Sequence, residues 1–166
     1  SFFCFFKLDR PPYFLIFYDM AFKLIKGFDQ SVPMHCATSS AIVQGELCVF
    51  DVSAGAAVFK VIKATASLLG CNVAGVAVNT PASGDTTVNI IPIVTGQIWE
   101  YDCTSNSLDT MLGKLNDLTD GLTVANSATN STATTAFVRN LGRVGAAADK
   151  KMYGFIIGAQ SPKALS

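Results

Sequence analysis

The chain has 166 residues, half of them hydrophobic, and its twelve Lys and Arg balance twelve Asp and Glu. That length suits one domain with a real core that stands without disulfides or metal, and balanced charge with no basic run lacks the footprint of a phosphate-backbone partner, so no nucleic acid is expected. Charged residues make up only 14% of the chain, a small solvated surface for its size, which points to surface covered by other subunits.

The first segment, "SFFCFFKLDRPPYFLIFYD", packs eight aromatics into nineteen residues, and the texture changes at Met20. Charges interrupt its apolar residues and Pro11-Pro12 breaks any helix, so it reads neither as a secretory signal nor as a bilayer span. Residues 1–19 are expected to be a processed leader or upstream reading frame, with an extended arm docking on a neighbouring subunit as the alternative. Residues 20–166 are then one β-rich domain.

From Met20 the chain reads as successive strands. "AFKLIKG" closes on Gly27, and "SVPMHCA" follows with Pro33 at a strand start or edge. "ELCVFDV" and "AAVFKVIKATA" are rich in β-branched and aromatic residues, with "SAG" between them as a turn. "AGVAVN" and "TTVNIIPIV" flank the turn "TPASGD"; "TG" then makes a tight turn into "QIWEYDC", where Gln97, Trp99 and Tyr101 alternate with Ile98, Glu100 and Asp102. These three strands read as a β-meander, with Trp99 on the buried side. The spacing and turn punctuation predict a mainly β fold, a compact barrel or sandwich.

In "SLDTMLGKLND" the apolar positions 108, 111, 112 and 115 have helical spacing, so one short helix is expected there, with Ser107 as N-cap. "LTVANSATNSTATTAFVRNLG" starts as a strand, passes through a polar stretch at 125–135 expected to project as a hairpin tip or loop, and returns as a strand. "KKMYGFIIG" is the last strand, and "AQSPKALS" reads as a frayed tail.

Chemistry-bearing patterns are sparse. His35 is the one histidine, and no G-x-S-x-G elbow accompanies it, so a packing or hydrogen-bonding role is expected over a catalytic one. Cys4, Cys36, Cys48, Cys71 and Cys103 form no C-x-x-C pair and read as buried free thiols of a reducing cytoplasm, with zinc the less favoured alternative. "NDLTDG" resembles a calcium loop, but Leu118 stands where an oxygen ligand belongs, so it reads as a turn. Gly142 and Gly145 lack the Lys and Ser/Thr of a phosphate loop. Asn130-Ser131-Thr132 is a formal glycosylation sequon, read only as a polar loop. No catalytic, cofactor-binding or metal residue is assigned, and no enzyme activity, cofactor or small-molecule substrate is expected.

The order of features from "SVPMHCATSSAIVQGELCVFD" to "GCNVAGVAVNTPASGDTTVNIIPIVTGQIWEYD" resembles the small capsid decoration, or cement, proteins of tailed bacteriophages. The resemblance rests on the Gly45-Glu46 turn, the strand Gly75 to Val78, the Ala/Gly/Asp turn at Ala82 to Asp85, the strand from Thr86 to Gly96, and the closing "KKMYGFIIG". It is clearest from Ser31 to Cys103; the polar region 123–135 and the aromatic leader have no counterpart in it. It implies a β-tulip-like fold, a homotrimer on the capsid surface of the virion, synthesis in the host cytoplasm, and the major capsid protein as partner, with no membrane. A tail, fibre or host-recognition module is the alternative, although no internal repeat supports a fibre.

Overall fold

The computed structural model describes residues 21–27, 34–38, 41–51, 60–65, 73–127, 129, 131 and 136–157, and His35 in its backbone alone. The leader, Cys4, Cys71, the Ser-Ala-Gly turn at 53–55 and the tail from Ala159 lie outside the described residues. The described strands, in chain order, are β1 (Phe22–Lys26), β2 (Met34–Thr38), β3 (Leu47–Phe50), β4 (Lys60–Lys63), β5 (Val73–Ala77), β6 (Thr87–Pro92), β7 (Ile98–Cys103), β8 (Leu115–Leu118), β9 (Thr123–Ala125), β10 (Val138–Val144) and β11 (Lys151–Ile156). The fold is mainly β, as expected.

The strands β2, β4, β3, β5 and β6 close into a barrel in that order, the closure made by parallel pairing of β2 with β4 at Ala37↔Lys60 and Thr38↔Val61. A barrel of so few strands is narrow, and its interior holds small and medium side chains: Cys36, Cys48, Val61, Ala74, Ala77, Val88 and Ile90, with Ile42 at one end. Cysteine serves here as a small apolar residue. On β3, Leu47 and Val49 face away from Cys48, out of the barrel and into a second core that also takes Val73, Val76 and Ile91. Burial on both faces explains why "LCVF" and "VAGVA" read as unbroken apolar runs rather than alternating ones.

The second core is completed by a six-stranded sheet in the order β1-β7-β11-β10-β8-β9. It curls until β9 also pairs with β7, in parallel at Asp102↔Thr123 and Cys103↔Val124, so β7, β11, β10, β8 and β9 make a second closed circuit. The strand β7 keeps the alternation read from its sequence: Trp99, Tyr101 and Cys103 are buried, while Ile98, Glu100 and Asp102 are half-buried on the other face. The Tyr101 ring meets that of Phe22 on β1 at a centroid separation of 5.8 Å.

Three expectations are corrected. The helix over 107–117 shrinks to a single 3-10 turn at Asp109–Met111, followed directly by the strand β8; Ser107 is buried and gives no side-chain cap, since the cap position is Leu108. Gly113, at φ 73, ends the turn, and helix nucleation does not recover in so short a stretch. The three-strand meander ends after two strands: β5 and β6 pair, but β6 is flanked by β5 and β2, so β7 departs to the other sheet. The predicted tight turn exists, with the Gln97 N–H donating to Val94 O at 3.3 Å, but it joins two sheets. Finally, β9 and β10 lie on either side of β8 and do not pair with each other, which rules out the hairpin alternative for residues 125–135 and leaves that of a loop.

Candidate interaction surface

Strand edges are the first place to look for binding, because an open edge offers unpaired backbone groups. The barrel is closed, and among the described residues the outer edge of β1 is the open end of the second sheet. That edge is blunted. The Phe22 N–H donates to Gly45 O at 3.2 Å, the register slips between Leu24 and Lys26, and Lys23 and Lys26 stand in the strand. Bulges and lysines of this kind oppose strand addition.

The exposed apolar side chains lie on turns and strand ends. Val43 precedes the Gly45-Glu46 turn, Val94 follows β6, Ile25 sits at the β1 bulge, and Leu108 and Leu112 flank the 3-10 turn with each 46% exposed. Met111 of the same turn is buried, and Asp109 pairs with Arg143 at 3.4 Å. An apolar pair held out by a tight turn is a contact feature, since burial inside its own chain is denied to it.

A cleft of about 550 Å³ opens at one end of the barrel between residues 41–43 and the turn 80–86. The turn's geometry follows from its residues: the Asp85 carboxylate accepts the Ala82 N–H at 3.0 Å, and Gly84 takes φ 93. The Thr80 hydroxyl accepts the Gln44 N–H at 2.9 Å, tying the two walls together. Ala41, Ile42, Val43, Pro81 and Ala82 supply apolar lining, Thr38, Thr80, Ser83 and Thr86 supply hydroxyls, and Asp85 supplies a carboxylate. Such a lining favours a mainly apolar surface with hydrogen-bonding groups, and its one carboxylate is engaged in holding the turn.

The residues weighed for chemistry are dispersed. The backbone of His35 sits on β2 opposite Asn89. Cys36, Cys48 and Cys103 are free and buried, and burial pushes the thiols of Cys48 and Cys103 up to about 12. Asp120 of "NDLTDG" caps its own turn, accepting from the Leu122 and Thr123 N–H groups and the Thr123 hydroxyl, and these bonds hold its carboxyl below the usual range against the effect of burial. Gly142 marks the β10 bulge, where a Cβ would strike the Tyr153 ring.

Sequence reasoning missed a buried polar chain in the second core. The Tyr101 hydroxyl donates to Asn140 Oδ1 at 2.8 Å, Asn140 Nδ2 donates to Met111 O and to Asn116 Oδ1, and Asn116 Nδ2 donates to Ser127 O at 3.3 Å. Asn126, expected on an exposed loop, is buried as well, with its amide clamped to Ser105 and Asn106. The signal that could have found it is the two-residue alternation of β8 and β10, which puts Asn116 and Asn140 on the inward face.

No family model matches the chain, and no curated protein matches it. Among solved structures it is similar to the N-terminal base of the head fibre gp8.5 of bacteriophage phi29, at 17% sequence identity and a TM-score of 0.48, over 75% of this chain and 92% of that one.

Proposed function

We propose that this chain is a non-catalytic structural protein of a bacteriophage virion that binds the outside of the capsid lattice and stabilises it. The observation that carries the reading is the placement of the resembling stretch. Gly45-Glu46, Gly75 to Val78 and Thr86 to Gly96 contribute to a closed barrel, and the Ala82 to Asp85 turn forms one wall of the cleft at its end. A closed scaffold that carries its exposed apolar side chains on turns suits adhesion to a protein lattice, which needs complementary surface and no reactive group. The partner is the major capsid protein, and the working unit is a homotrimer at three-fold positions, where avidity multiplies a modest contact.

The test is reconstitution. Capsids lacking the chain are mixed with purified protein, pelleted, and imaged by cryo-microscopy. Density on the shell exterior at three-fold positions is expected, and V43S at the cleft rim, which removes apolar surface without adding a charge near Glu46, should reduce occupancy without changing the melting temperature. Density at the tail or on fibres would replace decoration with the fibre reading, and failure to associate with particles at all would overturn both.

A further inference from the structure

The barrel and the curled sheet meet at Glu46. The backbone joins them around it: the Leu47 N–H donates to Gly121 O at 2.7 Å, and the Phe22 N–H to Gly45 O. The Glu46 side chain is 6% exposed, and its Oε2 accepts the Val43 N–H at 3.0 Å. It lies flat on Gly121, where a Cβ would fall 2.6 Å from Glu46 Cγ and 2.8 Å from Oε1. Glycine at 121 is therefore the space that admits the carboxyl into the joint.

Among the described residues, a carboxylate in that position has no ion pair. Lys63 on β4 attracts it from a distance, Asp120 in the 119–122 turn repels it, and the Cys48 thiol beside it in β3 offers no positive charge. Asp120 stays ionised because its own turn supplies three hydrogen bonds to it. The charge on Asp120 thus opposes a charge on Glu46, and the attraction of Lys63 offsets it only in part. Dehydrating a charge costs free energy unless it is paired, and removing the charge with a proton removes both the dehydration cost and the repulsion.

We propose that Glu46 is a proton-operated latch on the joint between the barrel and the second sheet, tighter when its carboxyl is neutral. This is independent of the decoration reading. Burial, the largest influence, raises the Glu46 carboxyl above the usual glutamate range, while the Val43 N–H and Lys63 pull it back in part. The folded chain then holds the proton more tightly than the unfolded chain. Stability from the latch is greatest once pH falls to the ordinary glutamate value of about 4.5, and it is lost as pH rises through the folded midpoint above that value.

The experiment compares the melting temperatures of the full chain and of Glu46→Gln, which keeps the shape and fixes the neutral form, across the pH range. The difference cancels groups that do not interact with Glu46, such as Asp117, and Asp120→Asn measures the part that comes from its coupling to Asp120. The variant should melt on the order of 2–4 °C higher at alkaline pH, with the gap closing as pH approaches the ordinary glutamate range. Asp120→Asn should move the closing of the gap to lower pH. A gap that does not vary with pH, or a variant that melts lower at alkaline pH, overturns the latch. Carbon-detected NMR titration of the Glu46 carboxyl in the unaltered chain gives a second reading that needs no variant: a midpoint above the ordinary range supports the latch, and one at or below it overturns it.

Discussion

Replacing Asn140 with leucine tests whether the polar chain in the second core acts as a unit. The side chain is fully buried; it receives the Tyr101 hydroxyl and supplies donors to Met111 O at 3.1 Å and to Asn116 Oδ1. Asn140→Leu fills the same space but strands the Tyr101 hydroxyl and Asn116 Oδ1 away from water, each costing about 1–3 kcal/mol when unpaired, while Met111 O keeps the Lys114 N–H at 3.1 Å. With roughly 1–2 kcal/mol regained from apolar burial, the net loss should be about 1–4 kcal/mol, a sizeable part of the ~5–15 kcal/mol that holds a domain folded. Tyr101→Phe alone removes one donor and should cost about 1–2 kcal/mol. Burial already pushes the Tyr101 hydroxyl well above its ordinary range, so it remains a donor at any working pH. In the double variant the stranded hydroxyl is gone, and the total should fall short of the sum of the singles by roughly 1–2 kcal/mol. Urea unfolding followed by far-ultraviolet circular dichroism measures all three. Effects that add to within ~0.5 kcal/mol would refute the coupling and leave Asn140 as an ordinary core residue.

Trp99 is 1% exposed, with its indole N–H on Gln97 Oε1 at 3.3 Å, so Trp99→Ala should lose about 3–5 kcal/mol, and an unchanged melting temperature would refute its placement. Gly154 on β11 lies against Arg139 O, with a Cβ there 2.7 Å from the Tyr101 hydroxyl; Gly154→Ala should destabilise by roughly 1–3 kcal/mol in urea, and a neutral result would mean the strands part readily. Asn126→Ala breaks the clamp on Ser105 and Asn106 and should cost about 1–3 kcal/mol with the fold retained by circular dichroism. In a variant with Cys4 and Cys71 changed to Ser, the remaining buried thiols should resist a thiol-specific dye in native buffer and react on unfolding; fast native labelling would contradict their burial.

The strands were legible where packing agreed with local pattern. Alternation in "QIWEYDC" placed Trp99 and Tyr101 inside, and β-branched runs located β3 to β6. Pairing was less visible, because which edge of β6 is free depends on β2, fifty residues earlier in the chain, and no local signal carries that. The helical reading of 107–117 failed because Met111, Leu112 and Leu115 share a helical face by spacing while Gly113 and the inward Asn116 enforce extended chain. Turn chemistry was the better guide to the cleft: Pro81, Gly84 and Asp85 announced the turn, though not the wall facing it.

The placement of the barrel within the chain has a kinetic consequence. Strands β2 to β6 form one uninterrupted stretch, and it is threaded between β1 and β7, which pair at Lys26↔Ile98. In the unfolded chain that pairing must close a loop spanning residues 27–97, with an entropic cost that grows as the logarithm of loop length. A barrel that has already formed draws its own two ends together and removes most of that search. The folding nucleus therefore belongs to the barrel, and β1 docks late. Truncations at Val88 or Ile90 should slow refolding, whereas Leu24→Ala on β1 should leave the refolding rate nearly unchanged and speed unfolding. During synthesis, β1 emerges well before its partner β7 and waits while the barrel assembles behind it, so the lysines and the bulge on that edge guard it during the interval when it is most open to pairing with another chain.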